Sequence, residues 1–288
     1  MNTKKTILIT GATGTVGSEV VKQLVEKNEK VRVLARDPAK AKIKFGTTVE
    51  IVEGDFEDPA SLRAALKNIE VAFLATAPSE RMIEQETNFI AAAEATGLSR
   101  LVKLSNIMAT PESIAPIGQS HGQIESRLAK SGISFTILRP GWFMSNFFMD
   151  AQSVKTGQLH SAMKDGRIAF THPFDVASVA VATLLNPVHS GHNYKITGPE
   201  ALTYEEVAAS FARVLGYPVK HVRVDNENLH AALKAITIPE FIIDEILKLG
   251  IMTRRGDLEM VTHAVQEVLG RPAYSLKQWI ETNRSAYS

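Results

Sequence analysis

The feature that most constrains the fold is a glycine-rich segment near the amino terminus, which reads Gly-Ala-Thr-Gly-Thr-Val-Gly over residues 11–17. It follows the apolar run 6–10 directly and opens the amphipathic stretch 16–26. A strand, a glycine turn and a helix in this order let the backbone approach a pyrophosphate, and the helix N-terminus supplies N–H donors and a favourable dipole. The alternative is that the glycines serve only tight packing of helix on sheet. The predicted pyrophosphate contacts are Gly11, Thr13, Gly14, Thr15, Val16 and Gly17.

Short β-rich runs alternate with helix-length amphipathic stretches through the first half of the chain. The predicted strands are 6–10, 31–34, 49–52, 71–74, 101–104 and 135–138. Because these runs are apolar almost throughout and are separated by predicted helices, they indicate a parallel sheet that is covered on both faces. We therefore expect an α/β protein with a doubly wound parallel sheet of the Rossmann type.

The alternation ends near residue 140, and helical patterns dominate the rest of the chain. The predicted helices of this half are 175–185, 204–215, 226–234, 240–249 and 258–269. We expect two domains. Residues 1–150 form the dinucleotide-binding domain, to which later segments return, and residues 151–288 form a smaller, mostly helical cap that contributes to the substrate site.

Charge and composition exclude several classes of protein. The 32 Lys and Arg against 31 Asp and Glu leave a net charge of +1, which gives no basic surplus for nucleic acid or anionic lipid. The absence of cysteine excludes disulfides, thiolate nucleophiles and Cys-ligated metals. No apolar run approaches the roughly 18 residues of a membrane-spanning helix, and no signal-peptide core is visible. We expect a cytoplasmic protein that binds neither nucleic acid, membrane nor metal, and the sequence carries no indication of a homo-oligomer.

The end of the second predicted strand tests which dinucleotide fits. An NAD site usually places Asp or Glu there for the ribose 2′-hydroxyl, whereas a 2′-phosphate favours Arg. Here the strand ends at Arg36, and the acidic Asp37 comes one residue late, before a proline, where it can simply cap the next helix. NADP(H) is therefore preferred over NAD(H). After the third strand, Asp55 and Phe56 either contact the adenine or serve as a turn residue and a core aromatic.

The chain resembles the NmrA-like family of atypical short-chain dehydrogenases/reductases. The resemblance rests on the glycine loop, on Gly54-Asp55, on the segment from Ser134 to Phe143 that contains Leu-Arg-Pro-Gly, on Thr197 to Thr203, and on the tail from Gly270 to Trp279. It implies a Rossmann-type domain, NADP(H) binding and a site under a helical cap. Members of the family include quinone and dye reductases, iminium or enone reductases, and redox-sensing regulators.

The sequence departs from the ordinary short-chain dehydrogenases at the catalytic pair. Those enzymes use Tyr-x-x-x-Lys with a Ser, but here the Tyr position holds His121 and the Lys position holds Glu125. In the related isoflavone-reductase-like enzymes a lysine occupies the position of His121. The departure argues against ordinary alcohol dehydrogenation, but it permits reduction of an activated acceptor, because the hydride comes from the cofactor.

Several further residues are candidates for the site. Ser105 ends the fifth strand and either holds a carbonyl oxygen or carboxamide or merely caps the strand. His121 is a candidate proton donor, because an ordinary imidazole titrates near neutral pH, or it is a polar helix residue paired with Glu125. Ala75, Thr76 and Ala77 are predicted to line the ribose, and Pro140, Gly141, Trp142 and Phe143 to meet the nicotinamide. The predicted substrate contacts are His121, Trp142, Phe143 and Asn146. Phe147 and Phe148 are assigned instead to packing between the dinucleotide-binding domain and the cap.

Together these features predict an NAD(P)H-dependent reductase that transfers hydride to a small planar acceptor such as a quinone, a conjugated carbonyl or an iminium. The alternative is a non-enzymatic NADP(H) redox sensor that acts through a protein partner, which the missing Tyr-x-x-x-Lys pair favours. A nucleotide-sugar epimerase is a third and weaker interpretation, because that activity needs the missing pair.

Overall fold

The computed structural model describes residues 5–288 and has one large sheet. Its strands are β1 (Thr6–Ile9), β2 (Lys30–Ala35), β3 (Glu50–Glu53), β4 (Val71–Leu74), β5 (Arg100–Leu104), β6 (Ser134–Pro140) and β8 (Asn193–Ile196). Their order in the sheet is β3-β2-β1-β4-β5-β6-β8. The pairs from β3 through β6 are parallel. The prediction of a doubly wound, Rossmann-type α/β fold is confirmed.

Helices connect these parallel strands. They are α1 (Thr15–Glu26), α2 (Pro38–Phe45), α3 (Pro59–Leu66), α4 (Met82–Thr96), α5 (Pro116–Leu128) and α7 (Pro173–Leu185). The starts of α2 and α3 follow from the sequence, because Asp37 and Asp58 accept hydrogen bonds from backbone N–H groups of the first turn and each precedes a proline at the first helical position. No helix of the described residues has the length and apolar character needed to cross a bilayer.

The core that holds these helices against the sheet is apolar. Leu8, Leu74 and Leu101 from three strands pack in one buried cluster with Phe89 of α4 and Leu62 of α3. Each such side chain contributes about 1.5–3 kcal/mol when it is removed from water. This packing sets the carboxyl ends of β1, β4 and β5 at one edge of the sheet, where this fold binds its ligands.

The chain divides into two compact units. The first comprises the residues up to Ser113, Ile117–Arg139 and Val176–Tyr194, and the second comprises Ile114–Pro116, Pro140–Asp175 and Lys195–Ser288. The functional division into a cofactor-binding domain at 1–150 and a substrate region at 151–288 stays a prediction.

The second unit is mostly helical and carries a small sheet of two parallel strands. Its elements are α6 (Ala151–Lys155), β7 (Gln158–Ser161), α8 (Tyr204–Leu215), β9 (Lys220–Arg223), α9 (Asn226–Ala235), α10 (Glu240–Arg254), α11 (Ala264–Leu269) and α12 (Leu276–Thr282). The helix predicted over 258–269 is wrong in its first half. There Thr262 donates its hydroxyl to the carbonyl of Lys195 at 2.6 Å and its N–H to the Thr197 hydroxyl at 2.9 Å, so tertiary hydrogen bonds replace helical ones.

Candidate active site

The glycine loop between β1 and α1 is sterically closed to side chains at two of its glycines. Gly11 has φ +58°, and a Cβ there would lie 2.7 Å from the carbonyl oxygen of Ala75. At Gly17 a Cβ would lie 2.3 Å from the carbonyl oxygen of Gly11. Both obstacles are backbone atoms, which cannot rotate away. At Gly14 a Cβ would come only to 3.2 Å of the Gly11 carbonyl, so the packing of the loop itself explains two of the three glycines.

No side chain caps the N–H groups at the N-terminus of α1. Gly14 is its cap residue in an extended conformation, and the first turn contains no acidic residue. The loop is anchored on its other side by the buried Thr10, whose hydroxyl donates to the carbonyl of Ala75 and accepts the N–H of the same residue, both at 2.9 Å. The helix therefore presents N–H groups and the positive end of its dipole, the arrangement that binds phosphate groups.

One cation contacts this loop, and another lies at the end of β2, the strand next to β1. Arg36 is exposed at the end of β2 and lines an open depression of about 430 Å³ together with Glu53, Gly54, Asp55, Asp58 and Ser61. Lys44, from α2, donates from Nζ to the carbonyl oxygen of Thr13 at 2.9 Å. The acidic Asp37 is occupied as the cap of α2, accepting the N–H of Lys40 at 3.0 Å. Lys44 could not be predicted from the sequence, since only the fold brings α2 to the glycine loop.

Asp55 and Phe56 have structural contacts of their own. An oxygen of the Asp55 carboxylate accepts the N–H of Glu57 at 2.9 Å, which makes Asp55 a turn residue. The ring of Phe56 packs on Phe89, with 5.9 Å between ring centroids. The turn and core roles that the sequence left open at these positions are therefore present in the structure. Their contact with an adenine stays a prediction, and Asp55 lines the same depression as Arg36.

The end of β4 combines a buried, a partly exposed and an exposed residue. Ala75 is buried, Thr76 is partly exposed and Ala77 is exposed. The Thr76 hydroxyl donates to Oε1 of Glu86 at 2.9 Å, and Glu86, in α4, is fully buried. Thr76, one of the predicted ribose contacts, is therefore hydrogen-bonded to a buried carboxylate.

Ser105 ends β5 and is almost fully buried. Its hydroxyl donates to the carboxylate of Glu125 in α5, and the same carboxylate binds the guanidinium of Arg139 through Nε at 3.0 Å and through Nη2. The proton of Ser105 is therefore committed to Glu125, which leaves the oxygen lone pairs of Ser105 as acceptors.

His121, one turn before Glu125 on the same helix, has a different partner. Its Nδ1 lies 3.1 Å from Nζ of Lys103, which is a fully buried lysine inside strand β5. Lys103 also donates to the carbonyl oxygen of Leu104 at 2.9 Å and forms an ion pair with Oε2 of Glu86 at 2.6 Å, at an angle unfavourable for a hydrogen bond. The pairing of His121 with Glu125 considered from the sequence does not occur, because Arg139 and Ser105 hold Glu125.

This environment keeps His121 neutral. Burial lowers the pKa of His121 well below its ordinary value, and the positive charges of Lys103 and Arg139 lower it further. An ammonium group has donors only, so Nδ1 of His121 accepts from Lys103 and the remaining proton of the neutral ring sits on Nε2.

The other predicted site residues belong to the second unit. Pro140 ends β6, and the N–H of Gly141 donates to the carbonyl of Ile196 at 2.9 Å. A Cβ on Gly141 would lie 2.9 Å from the carbonyl oxygen of Ala169. Trp142 and Phe143 are partly exposed and Asn146 is exposed.

The two phenylalanines that follow have their contacts within the same unit. Phe147 packs against Phe170, Phe211 and Trp279, and the 45% exposed Phe148 contacts Trp279. Phe147 is therefore a core residue of the second unit.

The first unit brings Lys44 to the glycine loop and places Arg36 at the end of the neighbouring strand β2. It also holds Thr76, Ser105 and His121 with their buried partners. Besides Lys44, the residues missed from the sequence are Lys103, Glu86 and Arg139. A signal was present for Lys103, since a lysine within the predicted strand 101–104 is almost never buried without a partner. No group of three or more metal-ligating side chains occurs within residues 5–288.

Comparisons with known proteins identify the family of this chain. The NmrA-like family matches residues 3–268. The NAD(P)H azoreductase of Xenophilus azovorans is 32% identical over 282 residues, which cover 98% of this chain and 99% of that protein. A (4-alkanoyl-5-oxo-2,5-dihydrofuran-3-yl)methyl phosphate reductase of Streptomyces griseus is 36% identical over 286 residues, covering 98% of this chain and 99% of that protein.

A solved structure extends the comparison to the fold. The NADPH-dependent quinone oxidoreductase 2 of Escherichia coli, complexed with NADPH, superimposes with a TM-score of 0.89 at 27% identity, covering 96% of this chain and 99% of that one. The resemblance seen in the sequence is confirmed over nearly the whole chain. The chain therefore belongs to the NmrA-like family and is an NAD(P)H-dependent oxidoreductase.

Proposed function

We propose that this protein is an NADPH-preferring reductase that transfers hydride to a small planar acceptor, a quinone or a conjugated carbonyl or iminium compound. The observation that carries the proposal is the glycine loop, where backbone atoms exclude a Cβ at Gly11 and Gly17 beside a helix end without a side-chain cap. The residues present fit a dinucleotide. In this proposal the pyrophosphate lies on the N–H groups of residues 14–17, and the bound nicotinamide supplies the hydride.

The preference for NADPH is supported by the charges around the adenosine end. Arg36 is exposed and free to form the planar, bidentate contact that a phosphate favours, and Lys44 places a second cation at the loop. The nearest acid in sequence, Asp37, is occupied as a helix cap. The 2′-phosphate therefore pairs with Arg36, and Lys44 assists.

The cofactor preference is tested by Arg36→Asp with Arg63→Asp, an exposed arginine of α3, as the matched control. We expect Arg36→Asp to weaken NADPH binding by about 10- to 100-fold, the loss of a charge-assisted contact, and NADH binding by less than about 3-fold. Fluorescence titration with both cofactors measures the two dissociation constants. Equal losses for NADPH and NADH, or none, would remove Arg36 from the 2′-phosphate site.

Ser105 has a narrower role in this proposal than the sequence allowed. Because its proton is donated to Glu125, Ser105 cannot also donate to an acceptor carbonyl. Its oxygen can accept the N–H of the nicotinamide carboxamide, which orients the ring. Ser105→Ala should then raise the KM for NADPH more than it lowers kcat, and a loss confined to kcat would contradict this role.

The acceptor class is tested by following NADPH oxidation by the purified protein across quinones, conjugated enones, azo dyes and iminium dyes. The proposal expects turnover with at least one class, and substitution of Trp142, Phe143 or Asn146 is expected to change KM for that acceptor while leaving NADPH binding within about 2-fold. These three residues are predicted substrate contacts. Tight NADPH binding without turnover in any class would overturn the acceptor proposal.

A further inference from the structure

The reduction of a quinone or a carbonyl needs a proton as well as a hydride, and the neutral His121 cannot supply that proton alone. A neutral imidazole is a very weak acid, and the ring is kept neutral by burial and by the positive charges of Lys103 and Arg139. The familiar Tyr-x-x-x-Lys pair is absent. For His121 to act as the proton donor, its ring must therefore receive a proton from a neighbouring group on its other side.

Lys103 stands at that place. Its Nζ is 3.1 Å from Nδ1 of His121, and its side chain is fully buried. Nζ also donates to the Leu104 carbonyl at 2.9 Å and forms the ion pair with the Glu86 carboxylate at 2.6 Å. The two hydrogen-bond contacts and the ion pair fix the position of Nζ against the His121 ring.

We propose that Lys103 and His121 form a proton relay to the acceptor, with Glu86 as the residue that positions Lys103 through their ion pair. The relay rests on the proposed function, because it acts on the same acceptor. It is assembled from three elements, with Lys103 on β5, His121 on α5 and Glu86 on α4. Arg139 on β6 is the other charged group that faces His121, and it repels a proton that stays on the ring.

Hydride and proton reach a carbonyl acceptor at different atoms. The acceptor carbon gains the hydride with its electron pair, and the carbonyl oxygen becomes an alkoxide or phenolate. Nε2 of His121 gives its proton to that oxygen while Nδ1 takes a proton from Lys103, so the imidazole remains neutral in its other tautomer. Lys103 is left as a neutral amine beside Glu86. After product release a proton from solvent binds Nε2 of His121 while Nδ1 returns its proton to Lys103, which restores the ammonium and the original tautomer. No further oxidant or reductant is needed.

A comparison of a cationic acceptor with a neutral one distinguishes a role of Lys103 in proton transfer from a purely structural role. An iminium dye is neutralised by hydride alone, whereas a quinone needs hydride and proton. Lys103→Met removes the proton source, so we expect kcat for a quinone to fall by about 100-fold, the range of general acid catalysis. For the iminium dye we expect a fall of less than about 5-fold. The control is Lys22→Met, an exposed lysine of α1.

Lys103→Met leaves the Glu86 carboxylate buried without its cation, so the single variant can fail to fold. The double variant Glu86→Gln with Lys103→Met removes both charges and is measured alongside it. Equal losses for the quinone and the iminium dye in the double variant would overturn the relay, since such losses indicate altered packing. Failure of the wild-type protein to reduce either acceptor would instead count against the proposed function.

A second measurement tests the relay without turnover. Nitrogen-15 NMR of histidine-labelled protein, with His121 assigned through His121→Gln, reports which ring nitrogen carries the proton. We expect Nε2 protonated and Nδ1 unprotonated in the wild type at neutral pH, and a mixture of tautomers in the double variant. A protonated Nδ1 in the wild type would overturn the proposal whatever the activity.

Discussion

The proposed phosphate-binding end and the proposed proton-transfer end of the site are built in opposite ways. The glycine loop with Arg36 is open, carries its charge on exposed side chains, and relies on backbone that excludes a Cβ. The network around Lys103 is closed, and its ion pair with Glu86 has no exposed side-chain surface at either partner. An open end can bind and release a charged cofactor in each cycle, whereas a closed network keeps side chains in one geometry. Binding and proton transfer therefore place different demands on the same sheet edge.

The largest expected effect concerns how much the buried Lys103–Glu86 pair contributes to the free energy of unfolding. Lys103→Met should lower the free energy of unfolding by about 3–5 kcal/mol, because it leaves the buried Glu86 unpaired. The double variant Glu86→Gln with Lys103→Met should recover at least about 1 kcal/mol of that loss, since the side-chain amide oxygen introduced at position 86 can still accept from Thr76. Urea unfolding measures all three proteins. A single variant within about 1 kcal/mol of wild type would show that the pair is not buried as described.

A smaller effect is expected in the glycine loop. Gly17→Ala places a Cβ against the Gly11 carbonyl and should cost about 1–3 kcal/mol of stability, the usual range for overpacking, and weaken NADPH binding as well. Gly14→Ala meets only a 3.2 Å contact. It should change stability by less than about 1 kcal/mol while still weakening NADPH binding, because in our proposal the pyrophosphate passes over Gly14. Urea unfolding and cofactor titration separate the two, and unchanged NADPH binding in Gly14→Ala would place the cofactor elsewhere.

The same contrast explains which parts of the site can be predicted from the sequence. The glycine loop is seven consecutive residues between a strand and a helix, so its role can be inferred locally. The partners of the network are distant in the chain, with a separation of 18 residues from Lys103 to His121 and of 20 from Ser105 to Glu125. Only the strand order and the face of α5 bring them together. The sequence singles out Ser105 and His121 as candidates from their strand and helix positions. The His121–Glu125 pair that it leaves open as an alternative does not form, because Ser105 and Arg139 hold Glu125.

A still smaller effect tests whether Lys44 contributes to cofactor binding at the glycine loop. Lys44→Met removes the cation that contacts the Thr13 carbonyl and should weaken NADPH binding by about 2- to 5-fold, because exposed charges contribute about 1 kcal/mol or less. Lys42→Met, an exposed lysine two residues earlier in α2, is the matched control and should change binding by less than about 2-fold. The measurement is a titration at low and at moderate salt, where screening should reduce the difference. An equal effect of both variants would indicate only a general attraction.

The smallest effect follows from the neutral state of His121. Its pKa is lowered in the folded protein, by burial first and then by Lys103 and Arg139, so the unfolded chain binds the proton more readily. The free energy of unfolding must then fall as the pH drops below the ordinary imidazole pKa near 6.5. His121→Gln removes this contribution and should reduce the loss of stability between about pH 7.5 and 5.5 by about 1 kcal/mol.

The exposed His263→Gln is the control for this pH dependence and should leave the loss of stability unchanged. His172, His189 and His221 also have lowered pKa values, so part of the dependence remains in His121→Gln. Urea unfolding at a series of pH values measures the loss in each protein. If His121→Gln keeps the whole wild-type dependence, His121 is solvated and the closed character of the proton end is lost.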